Sequence, residues 1–196
     1  MNHIQHTAFL LFILAAFCLV GCNLTAKPTV EQAVEATTAQ PAIDSNEYLL
    51  QVCDANANCG YANQKGDTVI ALGKYEHSFT DTFRTYAVVV VKGKAGFMAI
   101  DRKGNVLYQV FAYDNGPDYP AEGLFRIQVG NKIGYADETT GKIVIQPLFD
   151  CAYPFENGAA QVSTNCKTEH QKEHSSWLSD HWFYIDATGK KVNKPE

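Results

Sequence analysis

The sequence predicts an all-β protein. Its plan is an array of about three and a half β-hairpin repeats of roughly 37 residues sharing one core, behind a disordered N-terminal tether. Three observations carry this. A pattern of aromatic segment, polar turn closed by Gly and β-branched segment recurs between residues 59 and 192, as hairpins require. Helical periodicity is absent over the same stretch. The aromatic fraction of 12% is too high for a disordered chain. Lys and Arg number 16 against 21 Asp and Glu, a net charge of -5 with no basic run. That balance argues against nucleic acid as a partner, since phosphate contacts need clustered cations.

Taken in chain order, the first element is Ala8 to Val20, an apolar run of 13 residues. It is too short to span a bilayer, which takes about 20 residues, and has the length of a signal-peptide core. Leu19-Val20-Gly21-Cys22 resembles the lipobox of bacterial lipoproteins. That resemblance implies cleavage before Cys22 and a diacylglycerol on its thiol, so residues 1–21 form the signal peptide. It also implies a place in the cell envelope, with membrane contact through lipid on Cys22. Asn23 after the cysteine points to the outer membrane, facing the periplasm. The segment before the apolar run departs from the pattern, offering His3 and His6 but no Lys or Arg. Two acyl chains suffice for stable anchoring, where one is marginal. Residues 22–45, rich in Ala, Thr, Gln and Pro, read as a flexible linker reaching roughly 25–30 Å. Residues 46–196 make the β domain.

Cys53, Cys59, Cys151 and Cys166 remain once Cys18 leaves with the signal and Cys22 takes lipid. An even count in an oxidising compartment predicts disulfides, with three pairings possible. Turn residues favour Cys53–Cys59, around Asp54 to Asn58, and Cys151–Cys166, around Glu156-Asn157-Gly158. Closing the longer loop contributes about 3 kcal/mol in the chain-entropy view.

The repeat itself is read from three aligned stretches and a partial fourth. Gly60-Tyr61 leads to Lys65-Gly66 and Val69-Ile70, and Gly96-Phe97 leads to Lys103-Gly104 and Val106-Leu107. Gly134-Tyr135 leads to Thr140-Gly141 and Ile143-Val144-Ile145, and Phe183-Tyr184-Ile185-Asp186 leads to Gly189 and Val192. Further strands are expected at Tyr86 to Lys92, Leu124 to Val129 and Ala159 to Ser163. A lone hairpin cannot bury its apolar face, so neighbouring units must share a core.

These residues resemble the WG-repeat (KWG) family of bacterial proteins. The third unit carries the resemblance best, through Gly134-Tyr135-Ala136-Asp137, Gly141 to Pro147, Phe149-Asp150 and Phe155 to Val162. Where the family's Trp is expected stand Cys59, Ala95 and Ile133. The resemblance implies stacked β units and structural rather than catalytic repeat residues.

One stretch lies outside the repeat. Between Cys166 and Trp182 the third unit is lengthened by an insertion holding His170, His174 and His181. His170-Gln171-Lys172-Glu173-His174 matches H-x-x-E-H, which on a helix would put both histidines on one face to share zinc. Such enzymes need an acidic ligand on a later helix, only 22 residues follow His174, and strands flank the insertion, so no metal is favoured and His170 and His174 stand as weak candidates only. The insertion reads as a polar, solvated loop. Trp177 is expected to be exposed within that rim and, with Asp180 and His181, to contact a partner. Phosphate-cradling and nucleophile-elbow motifs are absent. The expectation is therefore a non-enzymatic, cofactor-free, lipid-anchored protein-binding module, possible forms being an inhibitor or immunity protein. The alternatives are a structural envelope component engaging peptidoglycan, or a zinc-binding protein using the insertion.

Overall fold

Every turn glycine picked out by the repeat closes an antiparallel hairpin. The computed structural model describes residues 47–171 and 174–195. The signal peptide at 1–21, the lipidated Cys22 and the linker at 22–45 lie outside the described residues. The first unit contains β1 (Leu49–Cys53), β2 (Cys59–Ala62), β3 (Thr68–Ile70), β4 (Tyr75–Ser78), β5 (Thr82–Phe83) and β6 (Tyr86–Val91). The second contains β7 (Phe97–Asp101), β8 (Val106–Val110), β9 (Ala112–Tyr113), β10 (Gly116–Pro117) and β11 (Leu124–Val129). The third contains β12 (Lys132–Asp137), β13 (Ile143–Phe149), β14 (Cys151–Ala152) and β15 (Ala160–Ser163). The inserted β16 (Lys167–Gln171) and β17 (His174–Leu178) follow, and β18 (Phe183–Ile185) and β19 (Lys191–Val192) complete the chain. No helix occurs among the described residues.

The sheets have a simple logic. Each repeat hairpin pairs with the strand before it, making the antiparallel meanders β1-β2-β3, β6-β7-β8, β11-β12-β13 and β15-β18-β19. The two middle meanders fuse through β8 and β11 into a seven-stranded sheet that β4 extends at one edge. The first and last meanders build a four-stranded sheet each, and β9-β10 and β16-β17 are separate ribbons. The shared core divides accordingly into three apolar clusters. One is built around Leu49, Tyr61, Ile70 and Phe83, one around Tyr108, Phe125 and Ile127, and one around Tyr135, Ile145, Phe155 and Ile185.

The turns repeat at atomic detail. Asn63, Asp101, Asp137 and Asp186 each open one, and a side-chain oxygen of each accepts N–H groups two to four residues on. Glycines 66, 104, 141 and 189 then adopt positive φ, as such turns require. The residue four places past each turn glycine meets the turn glycine of the next unit. A Cβ built at Gly104 would stand 3.4 Å from Ile70, and one at Gly189 would stand 3.4 Å from Ile145. In the middle unit Tyr108 does the same work, donating its hydroxyl to the Gly141 carbonyl. The interlock survives the longer spacing from Gly141 to Gly189 because the insertion is a side branch on the connection between β15 and β18. Gly60 and Gly134 have another role, since a Cβ there would come within 2.4 Å of the Ile70 carbonyl and 2.5 Å of the Ile145 carbonyl.

Both predicted disulfides are present. Cys53 and Cys59 face each other in the β1–β2 register, with Cα atoms 4.0 Å apart. Cys151 and Cys166 join β14 to the root of the insertion across a Cα separation of 5.9 Å. The insertion itself corrects the expected solvated loop: β16 and β17 form a regular hairpin from the Lys167–Leu178 pair to the Gln171–His174 pair.

Candidate protein-binding face

The second and third units differ where their return strands begin, and the difference builds the site. Both have a tight turn with two positive-φ residues, Glu122-Gly123 in one and Asn157-Gly158 in the other. Three residues past each glycine stand Arg126 and Gln161, and opposite them stand Asp118 and Tyr153. Arg126 is one of the few buried polar residues, in a strand whose neighbours Leu124, Phe125 and Ile127 are also buried. Asp118 satisfies it: the carboxylate accepts from the Arg126 backbone N–H at 2.8 Å, from Nε at 2.9 Å and from Nη2. The remaining arm, Nη1, donates to the Ala152 carbonyl of the third unit at 3.2 Å. A buried charge is tolerated only when paired and hydrogen-bonded in this way.

The guanidinium is also the middle of an aromatic ladder. It lies 4.3 Å from the Phe111 ring and 5.5 Å from the Tyr113 ring. Tyr113 meets Tyr119 edge-on at 6.4 Å, and Phe111 meets Trp177 at 5.9 Å. Trp177 meets Tyr153 at 5.2 Å, and Tyr153 meets Trp182 at 5.5 Å. The ladder thus runs Tyr119, Tyr113, Arg126, Phe111, Trp177, Tyr153, Trp182, joining three segments distant in sequence. Its outward members are accessible: Tyr119 is 68% exposed, Tyr113 52% and Tyr153 40%. Aromatic groups held rigidly and left facing water have the composition of a protein-recognition hot spot.

Trp177 does not stand alone in a polar rim, as the sequence suggested. It is half-buried and packs on the apolar cluster of Tyr135 and Phe155 while touching Phe111 and Tyr153. The physical reason is the anchored root of its hairpin. The Cys151–Cys166 bond and the Ser163–Ser179 hydroxyl contact at 2.8 Å fold the insertion back on the domain. Asp180 and His181 are exposed, as expected of surface residues, and the His181 N–H is held by the Ser179 hydroxyl at 2.9 Å. His170 and His174 lie on paired strands, opposite Ser175 and Gln171, so the helical spacing behind the zinc motif does not apply. Among the described residues no group of three or more metal-ligating side chains comes together.

Sequence reasoning missed Phe111, Tyr113, Asp118, Tyr119, Arg126, Tyr153 and Trp182 as site residues. One signal was present: an arginine inside the apolar run from Leu124 to Ile127 demands an acidic partner, and Asp118 is nearby.

A groove of about 520 Å³ opens beside Tyr153, between the Glu156-Asn157 turn and Tyr184. It is separate from the ladder but shares that tyrosine.

Fold and face together define an all-β repeat protein that carries an aromatic surface. Residues 133–167, most of the third unit, match the family model of the WG containing repeat. That stretch of the chain is similar to a WG repeat. No curated protein and no solved structure matches the chain.

Proposed function

We propose that this β-repeat protein is a non-enzymatic binding module, anchored in the bacterial envelope by lipid on Cys22, whose aromatic ladder grips another protein. One observation carries the reading: three exposed tyrosines and two half-buried tryptophans are locked into one contact chain by a buried Asp118–Arg126 pair. Rigid aromatic anchors bind with little loss of side-chain freedom, so preorganisation of this kind favours recognition. Two disulfides suit an oxidising compartment such as the periplasm. Blocking an effector protein there, as an inhibitor or immunity protein does, is the form of the function that an anchored module with a single stiff face serves best.

The test is capture of a partner from detergent-solubilised envelope by the lipidated protein. It compares the wild type with a variant carrying Tyr113→Ala and Tyr119→Ala. Both rings are more than half exposed, so the variant should melt within about 0.5 kcal/mol of wild type. Partner recovery should fall at least tenfold. Undiminished recovery, or recovery of glycan fragments in place of protein, would sink the proposal.

A further inference from the structure

Three of the four repeat hairpins carry a tyrosine at one shared place, two residues before the one that opens the turn, and two of those three show what it does. The Tyr61 hydroxyl donates to the Thr80 carbonyl, 19 residues later, at 2.6 Å. Its ring meets Phe83 edge-on at 4.9 Å. The Tyr135 hydroxyl donates to the Tyr153 carbonyl, 18 residues later, at 2.7 Å. Its ring meets Phe155 edge-on at 4.9 Å. Each tyrosine therefore reads the same object: a backbone carbonyl followed two or three residues on by a phenylalanine. Phe83 and Phe155 are buried by this contact, with 5% and 4% of their surface left exposed. In the second unit Ala99 holds this place, opposite Tyr108 and two residues before Asp101, and has neither ring nor hydroxyl to offer.

Tyr184 holds this place in the fourth hairpin, since Asp186 opens its turn as Asp137 opens the turn after Tyr135. Among the described residues no carbonyl meets its hydroxyl and no ring stands against its own. Its surroundings form the groove next to the ladder, lined by Tyr153, Pro154, Glu156, Gln161 and Pro195 as well as Tyr184. A volume of about 520 Å³ lies within the ordinary range for ligand sites.

We propose that this groove is a peptide site. It takes a segment of the partner protein that offers a backbone carbonyl to the Tyr184 hydroxyl and a Phe ring, two or three residues later, to the Tyr184 face. The warrant is continuity: the groove extends the interface that already seats Thr80 with Phe83 and Tyr153 with Phe155. This inference rests on the protein-binding reading above and locates one contact of it, because Tyr153 belongs to both ladder and groove.

The experiment needs no knowledge of the partner. The probe is a peptide with the sequence of residues 151–158, serine replacing Cys151, which contains the carbonyl and Phe that Tyr135 reads. It is titrated into the isotope-labelled protein and followed by nuclear magnetic resonance. Saturable shifts are expected at Tyr184 and Gln161. Tyr184→Phe should weaken binding roughly fivefold, as loss of one neutral hydrogen bond does, and a peptide with Ala in place of its Phe should bind at least tenfold more weakly. Absence of saturation at millimolar peptide would overturn the proposal, as would equal binding by the Ala peptide. Muropeptide binding that displaces the probe would overturn it in favour of a glycan site. Peptide binding is independent of Tyr113 and Tyr119, so failure here leaves the envelope-capture experiment to decide the broader function on its own.

Discussion

Asp118→Ala strikes the one buried ion pair among the described residues and should be the costliest single change on the aromatic face. The side chains of Asp118 and Arg126 are only 3% and 4% exposed, so neither charge reaches bulk water. Removing the carboxylate leaves the guanidinium with the Ala152 carbonyl and the Phe111 ring, and strands two of its donors, Nε and Nη2, together with the Arg126 backbone N–H. Breaking a buried pair from one side costs about 3–5 kcal/mol, because the survivor is buried and uncompensated. Melting points of domains this size move by about 2–4 °C per kcal/mol, so a fall of roughly 6–20 °C is expected. The assay is thermal unfolding by circular dichroism without reductant. Asp118→Leu combined with Arg126→Met tests the cause, since apolar replacement of both partners is close to neutral or better. The double variant should recover most of the loss, and Arg126→Met alone should not. A loss under about 1 kcal/mol for Asp118→Ala would refute the reasoning, showing that Arg126 swings out to solvent and was never a fixed post.

Two further outcomes follow from the geometry. Trp177→Ala removes a half-buried ring from Phe111, Tyr153 and the cluster beneath them, and should destabilise by about 2 kcal/mol, somewhat less than a full core truncation. An unchanged melting curve would return that residue to the surface. The turn carboxylates predict an acid limb. The Thr140 hydroxyl and N–H hold Asp137 below the usual carboxylate range. At Asp101 partial burial pushes upward, but the N–H and side-chain amide of Asn105 outweigh it and the net shift is downward. Depressed values in the folded state mean that this stability is present above the unfolded carboxylate value, near pH 4, and is lost as pH falls through the folded ones. Carboxyl resonances of both residues, followed against pH, should titrate below those of an unfolded control, and midpoints at or above the control would contradict the turn geometry.

The fold was legible because its repeated parts are local. An acidic or amide residue opening a turn, a glycine closing it and an apolar residue four places on are visible as spacing. The structure uses each of them the same way in successive units. Disulfide pairing was legible for the same reason, since Cys53 and Cys59 flank one turn. The aromatic face was not. Tyr119, Tyr153 and Trp177 reach it from three segments, and no periodic signal links positions brought together only by stacking of units. The insertion misled because its polar composition says loop, whereas its hairpin is held by cross-strand pairing and by ties at its root.

Where the units agree they build, and where they disagree they make the site. At backbone positions of the same turn geometry the second unit places Asp118 and Arg126, and the third places Tyr153 and Gln161. The charged pair is buried because the third unit covers it, supplying the Ala152 carbonyl to Arg126 and the Gly158 N–H to Glu122. Beside the neutral pair the groove stays open. One backbone position thus gives a rigid post in one unit and the wall of a groove in the next, and the choice between them lies in whether another segment covers it. The surface therefore offers two chemically different features: an aromatic ridge fixed from below by a buried cation, and an open groove beside Tyr184. Stiffness in the first and vacancy in the second are both consequences of stacking.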